Sequence, residues 1–326
     1  MTDTGHTQKI AAGGDFAALM VLVLLALAVA ACQWLAPLPV DPRSMVTLGV
    51  ACATLWGAAL FYRRVRPREN FAVMCVALSQ VILFTALGIV LSYLLARTGG
   101  DLWDSRLAAW DSALGFDWLA YVRWFDQSSV AVAWLKIAYA SLIPQVITLV
   151  LVLGFSNRLA ELRIVMLAAI VAGTVTVVLS SFFPAVSNYI NLGLSARDFQ
   201  HVNPFAGDVH MRDFNALRDG TAHALELGKM EGIITFPSYH AGLSVVSLWG
   251  FWATRIAWVR WPGMLLAAST IVATPVDGGH YLVDILAGGA IAALALAWSK
   301  RAIFWAPAPA SLTAWPFRRS REASAR

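Results

Sequence analysis

Long uncharged apolar runs dominate this chain. "FAALMVLVLLALAVAAC" (16–32) and "IVMLAAIVAGTVTVVLSSFF" (164–183) carry no ionisable group other than the Cys32 thiol. In a bilayer, backbone N–H and C=O groups must be satisfied within the segment, which leaves helices and closed barrels. A barrel would show short segments of alternating polarity, and these runs do not alternate. With 59% hydrophobic and 13% charged residues and a mean hydropathy of +0.67, the chain departs from soluble domains, where about a quarter of residues are charged. The fold class expected is an all-α polytopic membrane helical bundle. It would have eight spans at 16–36, 45–62, 71–95, 130–155, 163–183, 239–254, 256–275 and 280–298. The sixth is short enough to lean on its neighbours.

Basic residues orient these spans. With both termini inside, the inner segments collect Lys9, Arg63, Arg64, Arg66, Arg68, Arg158, Arg163, Arg255, Arg260 and six in the tail, which is 15 of the 24 Lys and Arg. Acidic residues run the other way, 13 of the 19 lying outside. The net charge of +5 is therefore read as anchoring to anionic lipid, with no nucleic-acid partner, because no interleaved basic and aromatic stripe is present. Cys32, Cys52 and Cys75 all fall within apolar spans and are expected as packed thiols. "LALAVAAC" resembles a bacterial lipoprotein cleavage site at Cys32, but a single preceding lysine and Asp15 at the edge of the run make a poor signal-peptide n-region. An ordinary first span is preferred.

Two outer loops are long. Residues 96–129 place Leu102, Trp103, Leu107, Trp110 and Leu114 on one helical stripe and Trp118, Leu119, Val122 and Phe125 on another, the pattern of interfacial anchors. Asp104, Asp111 and Asp117 are spread along this loop, and are read as helix caps and solvated faces. Residues 184–238 contain an expected helix from about His210 to Leu227, with Arg212, Arg218, His223 and Glu226 on its polar side. Loops this long tend to be functional. The organisation expected is an N-terminal helix pair over 1–70, a six-helix core over 71–298 and a disordered basic tail over 299–326.

Two short stretches carry the chemistry. In "GGHYLVDILAG" (278–288), Asp284 lies about one turn inside the outer end of the last span, where a carboxylate is costly unless paired. His280 is its i,i+4 neighbour, expected on the same helix face. A carboxylate behind an imidazole fixes the tautomer and sharpens the far nitrogen as base or nucleophile. In "FPSYHAG" (236–242), His240 opens the sixth span, and the predicted topology puts it at the same depth and face as His280. Two imidazoles across one gap supply a nucleophile and a proton donor, as displacement of a poor alkoxide from phosphorus requires. Pro237 suits an early helix position, and Ser238 suits either a helix cap or a bond to a phosphate oxygen.

These residues resemble the second and third signatures of the type 2 phosphatidic acid phosphatase superfamily, and more closely its inositol phosphorylceramide synthase-like branch. Pro237, Ser238 and His240 match Pro-Ser-x-His; His280 and Asp284 match His-x-x-x-Asp. The resemblance covers spans three to eight, and the first two look like an addition. It implies that His280 attacks phosphorus to give a phosphohistidine, Asp284 orients it and His240 protonates the leaving oxygen, with no metal or other cofactor. The first signature, Lys, six residues, Arg-Pro, is met by "KIAYASLIP" with Lys136 and Pro144, but Ile143 replaces the arginine. In the third, Ala273 and Thr274 stand where typical members carry Ser-Arg. The synthase-like branch also lacks that second arginine. Lys136 is expected to contact phosphate, and Arg218 and Arg212 are candidates for the missing guanidinium.

The expectation is an enzyme of the bacterial plasma membrane. It takes a phosphorylated lipid at the outer leaflet and passes the group to water as a phosphatase or to an alcohol as a phosphotransferase. A proton relay or transporter through His240, His280 and Asp284 is disfavoured, because spans six to eight carry no ionisable residue in their inner halves before the cytoplasmic arginines. A lipid-phosphate-binding scaffold without turnover is the third reading. His280 and Asp284 as metal ligands would have only His240 as an obvious third, and no Walker-type loop or nucleophile elbow is present.

Overall fold

A computed structural model of the protein describes residues 4–97, 100–203, 216–217, 219, 225–227 and 233–305. The described residues form an all-α bundle. Its helices are α1 (Thr4–Leu35), α2 (Pro42–Arg64), α3 (Glu69–Ala96), α4 (Asp104–Ala113), α5 (Trp118–Asp126), α6 (Ser129–Ala140), α7 (Leu142–Phe155), α8 (Leu159–Ser180), the single turn α9 (Asn188–Asn191), α10 (Tyr239–Ala253), α11 (Ala257–Asp277) and α12 (Leu282–Trp305). Polar residues set several starts: Asp41 accepts from Ser44 N ahead of α2, Asp117 from Ala120 N ahead of α5, and Ser238 from Ala241 N ahead of α10.

Among the described residues, five helices are long and apolar enough to cross a membrane, and a sixth span results if α6 and α7 count as one. These two meet at Ser141 with a 55° bend. Pro144, in the first turn of α7, has no N–H to continue the α6 ladder, and a helix restarts more easily than it runs through a proline. The eight expected spans are thus reduced by this measure. α10 has only 15 residues, about 22 Å of helix, and α11 carries Arg260, Asp277 and two internal prolines.

α8 is the hub. Buried side chains make up 72% of its apolar stretch, against 11% for α2 at the periphery. Leu162, Ile164, Leu167 and Ile170 of α8 join Leu149 and Leu153 of α7, Val246 and Phe251 of α10, and Ala292 of α12 in one core. Ala18, Leu22 and Leu25 of α1 belong to the same cluster. At the N-terminal end of α8, Arg163 is buried and its guanidinium meets Asp15 at 2.9 Å and Glu69 at 3.2 Å, while Arg63 reaches Asp15 at 3.3 Å. Asp15 thus neutralises an arginine that would otherwise be stranded inside the bundle.

The amphipathic stripes are placed differently from expectation. In α4 the buried face runs through Asp104, Leu107 and Asp111, whereas Leu102, Trp110 and Leu114 are exposed. In α5, Trp118 and Val122 are buried against Val132 and Leu135 of α6 and Tyr189 of α9. The helix expected over 210–227 lies mostly outside the described residues, but it does not reach Leu227. Leu225 is extended and pairs in parallel with Val40, Asp41 N donating to Leu225 O at 2.9 Å and Leu225 N to Pro39 O at 2.8 Å.

Two glycines bring α10 and α12 together. A methyl group on Gly242 would sit 3.0 Å from the Gly288 carbonyl, and one on Gly288 would overlap the Ser238 carbonyl. Small residues at such crossings let backbones approach closely. Gly288→Ala is therefore expected to cost about 1–3 kcal/mol by overpacking and to push the start of α10 away from α12. Gly289→Ala, whose new methyl would lie 3.8 Å from Val245 Cγ2, is expected to be tolerated. Thermal unfolding of the two variants in detergent checks this.

Candidate active site

The two sequence motifs meet at the end of the bundle where α10 and α12 begin. His280 is not in α12, as its spacing to Asp284 suggested. It lies in the non-helical link Gly278–Tyr281, ahead of the first turn that holds Asp284. The link bends back at Gly279, where φ is +63° and a side chain would collide with Ser187 Oγ. This bend brings His280 Nδ1 to 3.3 Å from Asp284 Oδ2. The same oxygen accepts Tyr281 N at 2.9 Å. His280 and Asp284 are both buried, at 3% and 0% exposure. The tautomer in which Nδ1 donates to an ionised Asp284 leaves a lone pair on Nε2.

His240 stands opposite. Its ring centroid is 6.5 Å from that of His280, with the rings tilted by 52°. The backbone fixes this spacing, because Ser238 N donates to Asp284 O at 3.0 Å and ties the start of α10 to the first turn of α12. Ser238 is fully buried and its Oγ caps α10, so of its two expected roles the structure displays the cap. Pro237 precedes this cap rather than occupying the first turn.

Tyr139 was not singled out by the sequence. Its ring stacks on His240 with centroids 4.1 Å apart and planes 9° apart, and its hydroxyl lies 3.3 Å from His240 Nδ1. A methyl on Gly278 would meet both Tyr139 Oη (2.7 Å) and His280 Cδ2 (2.6 Å), so this hydroxyl crowds against the link between the histidines. The available signal was position: Tyr139 is three residues after Lys136 on α6, hence on a neighbouring face of the helix. Lys136 is exposed on α6, and its charge acts on Asp277, whose buried Oδ2 has no hydrogen-bond partner among the described residues.

The two positions that lack the family arginine do not replace it. Ile143 is exposed, and Thr274 is buried with its hydroxyl donating to Thr270 O in its own helix. Arg212 and Arg218 lie outside the described residues. A recess of about 380 Å3, its open mouth included, adjoins the segment before Pro237. Ser92 of α3, Ser180 of α8, Thr235 and Phe236 contribute to its wall. Among the described residues no three His, Cys, Asp or Glu side chains are arranged to hold a metal ion.

The acidic residues of the first long loop need the largest correction. Asp117 is a helix cap, but Asp104 and Asp111 are neither solvated nor local caps. Asp104 accepts Val186 N and Ser187 N, each at 3.1 Å, and the Tyr281 hydroxyl at 3.0 Å. Asp111 accepts Leu282 N at 2.8 Å and Val283 N at 3.0 Å. Burial pushes both carboxyls above their usual range, and the N–H donors pull the other way. Their spacing along the loop hid this, because i and i+7 on a helix share a face.

Tyr139→Phe keeps the stack on His240 and removes the hydroxyl. The loss of about 1 kcal/mol expected for one hydrogen bond corresponds to a roughly fivefold lower rate, read as turnover of a phosphorylated lipid by a variant with unchanged melting temperature. The model of the PAP2 superfamily matches residues 105–298, which includes both histidine motifs, Lys136 and α4 from its second residue on, Asp111 among them. No curated protein and no solved structure matches the chain. With more than half its length matched, and with the two histidines and the carboxylate of the motifs gathered at one point, the chain belongs to the PAP2 superfamily.

Proposed function

We propose that this protein is a membrane lipid phosphatase or phosphotransferase working through a phosphohistidine on His280. The observation that carries this is the arrangement of His280, backed by Asp284 at 3.3 Å, with the His240 ring centroid 6.5 Å away. Membership of a superfamily of phosphatases and phosphotransferases supports the reaction class. In the first step the lone pair of His280 Nε2 attacks phosphorus, the bond from phosphorus to the lipid-side oxygen breaks, and His240 gives that oxygen a proton. In the second, water or an alcohol attacks the phosphohistidine, His240 takes its proton, and the bond to Nε2 breaks. Asp284 stabilises the positive charge on His280 throughout.

The site faces the outer leaflet in this proposal, as the charge distribution supports. The ion cluster Asp15–Arg163–Glu69 lies at the beginnings of α3 and α8, and the recess beside the site lies at their ends. A helix of 22 residues such as α8 separates these two ends by about 33 Å. Placing the arginine-rich end in the cytoplasm of a bacterial cell puts His280 at the opposite surface. Residues 71–298 are then the catalytic unit and 1–70 an appended helix pair. Lys136 is proposed to hold phosphate at the rim, with Arg212 and Arg218 as further guanidinium candidates. A synthase-like reaction, moving a phospho-headgroup onto a lipid alcohol, is the second reading. It is favoured by the side chains at Ile143 and Thr274, neither of which can replace a guanidinium on the donor phosphate.

The test uses detergent-purified protein and phosphorus-labelled lipids, diphosphates among them, with and without inositol or glycerol. Free phosphate released by wild type and not by His280→Ala supports the phosphatase. Label entering a new lipid only with alcohol present supports the transferase. Equal turnover by wild type and His280→Ala would overturn both. His240→Ala is expected to lower the rate by about 10²–10⁴-fold, most for the poorest leaving groups. Asp284→Asn is expected to lower kcat with little change in KM. Activity is expected to survive chelator, whereas loss with EDTA and recovery with a divalent ion would point to a metal mechanism.

A further inference from the structure

The first turn of α12 is held by a helix more than 150 residues away in sequence. Three successive amides at its start point at carboxylates: Tyr281 N at Asp284, and Leu282 N and Val283 N at Asp111 of α4. A helix normally draws its N-cap from its own chain just upstream. Here the residues upstream are Gly278–Gly279–His280–Tyr281, and the acceptor comes from α4. The Tyr281 side chain, fully buried, is anchored separately, its hydroxyl donating to Asp104 at 3.0 Å. Asp104 also holds Val186 N and Ser187 N, and the next residue, Asn188, donates its N–H to Gly279 O at 2.9 Å. The link that carries His280 is thus fixed on both sides by carboxylates of one short helix. The outward face of that helix presents Trp110 and Leu114.

We propose that Asp111 and Asp104 are positioning residues for His280, acting through the backbone of 279–283 and the Tyr281 ring, and that α4 is a brace that sets the His280–Asp284 geometry. This rests on the phosphohistidine reading above. Neither carboxylate touches the reacting atoms, so their removal is expected to lower kcat and to leave KM in place. The charge of Asp111 also opposes the N-terminal end of the α12 dipole, which favours a carboxylate there. Asn at this position retains one acceptor but turns its amide donors toward a second N–H. Ala loses both acceptors.

The experiment compares wild type, Asp111→Asn, Asp111→Ala, Asp104→Asn and Tyr281→Phe in three readouts: melting temperature, hydrogen exchange of the peptide covering 278–286, and kcat and KM on the phosphorylated lipid that wild type turns over. The expected result is faster exchange at Leu282 and Val283 by at least about tenfold in Asp111→Asn. Its kcat per folded molecule is expected to fall at least tenfold with KM within twofold, and Asp111→Ala to lie below Asp111→Asn. Unchanged kcat per folded molecule in both Asp111 variants would overturn the proposal, leaving these carboxylates as fold stabilisers only. Where the Asp111 variants do not fold, Tyr281→Phe decides: a kcat at least threefold below wild type supports positioning, and an equal kcat overturns it. If wild type turns over no phosphorylated lipid, the functional reading fails by itself. The exchange measurement then stands alone, and unchanged protection of Leu282 and Val283 in Asp111→Asn would overturn the brace.

Discussion

A carboxylate with no exposure to solvent, inside a bundle whose core is leucine, isoleucine and valine, is the constraint around which this structure is arranged. Asp284 cannot be left bare at that depth. Its Oδ1 is buried with no hydrogen-bond partner among the described residues. Its Oδ2 is met by the His280 imidazole and the Tyr281 amide, and the N-terminal end of its own helix favours its charge. Each of these places a demand on the chain. The histidine has to come from a link that doubles back, which requires Gly279 in a left-handed conformation. The amide is available because α12 starts there, and α12 starts there because Asp111 takes the next two N–H groups.

The second motif is joined to the first through backbone. Ser238 N bonds to the carbonyl of Asp284, and Gly288, one turn further along, leaves room for the Ser238 carbonyl. The spacing between the two histidines therefore follows from a helix crossing made of glycine and main chain, and long flexible side chains play little part in it. Tyr139 adds a flat surface that holds the His240 ring. The proposed reaction, with an imidazole on either side of one phosphorus, gains most when neither ring has to be ordered at the moment of reaction.

The amino-acid pattern showed the membrane bundle, the two motifs, the His–Asp pair and the superfamily, because each is written in local periodicity or in fixed spacing. It misplaced what depends on partners distant in sequence. Asp104 and Asp111 look like ordinary acidic residues of an interfacial loop, since nothing near them in the chain signals the N–H groups of residues 186–187 and 282–283. Tyr139 reads as one more aromatic in an apolar helix. Hydropathy alone also does not register that α10 stops after 15 residues, or that the fourth span is two helices meeting at a 55° bend.

By itself the sequence determined that the chain is a helical membrane protein, and singled out His240, His280 and Asp284 as the side chains proposed to react. Uncharged runs of such length have one stable home, and ionisable groups there are too costly to be incidental. Only the tertiary structure decided how those three groups face one another, which glycines permit it and which distant carboxylates hold it. The physical reason is that hydropathy and helical periodicity are properties of neighbours along the chain. The satisfaction of a buried N–H or carboxylate is settled by whatever the fold brings within 3 Å, and the chain order does not encode it.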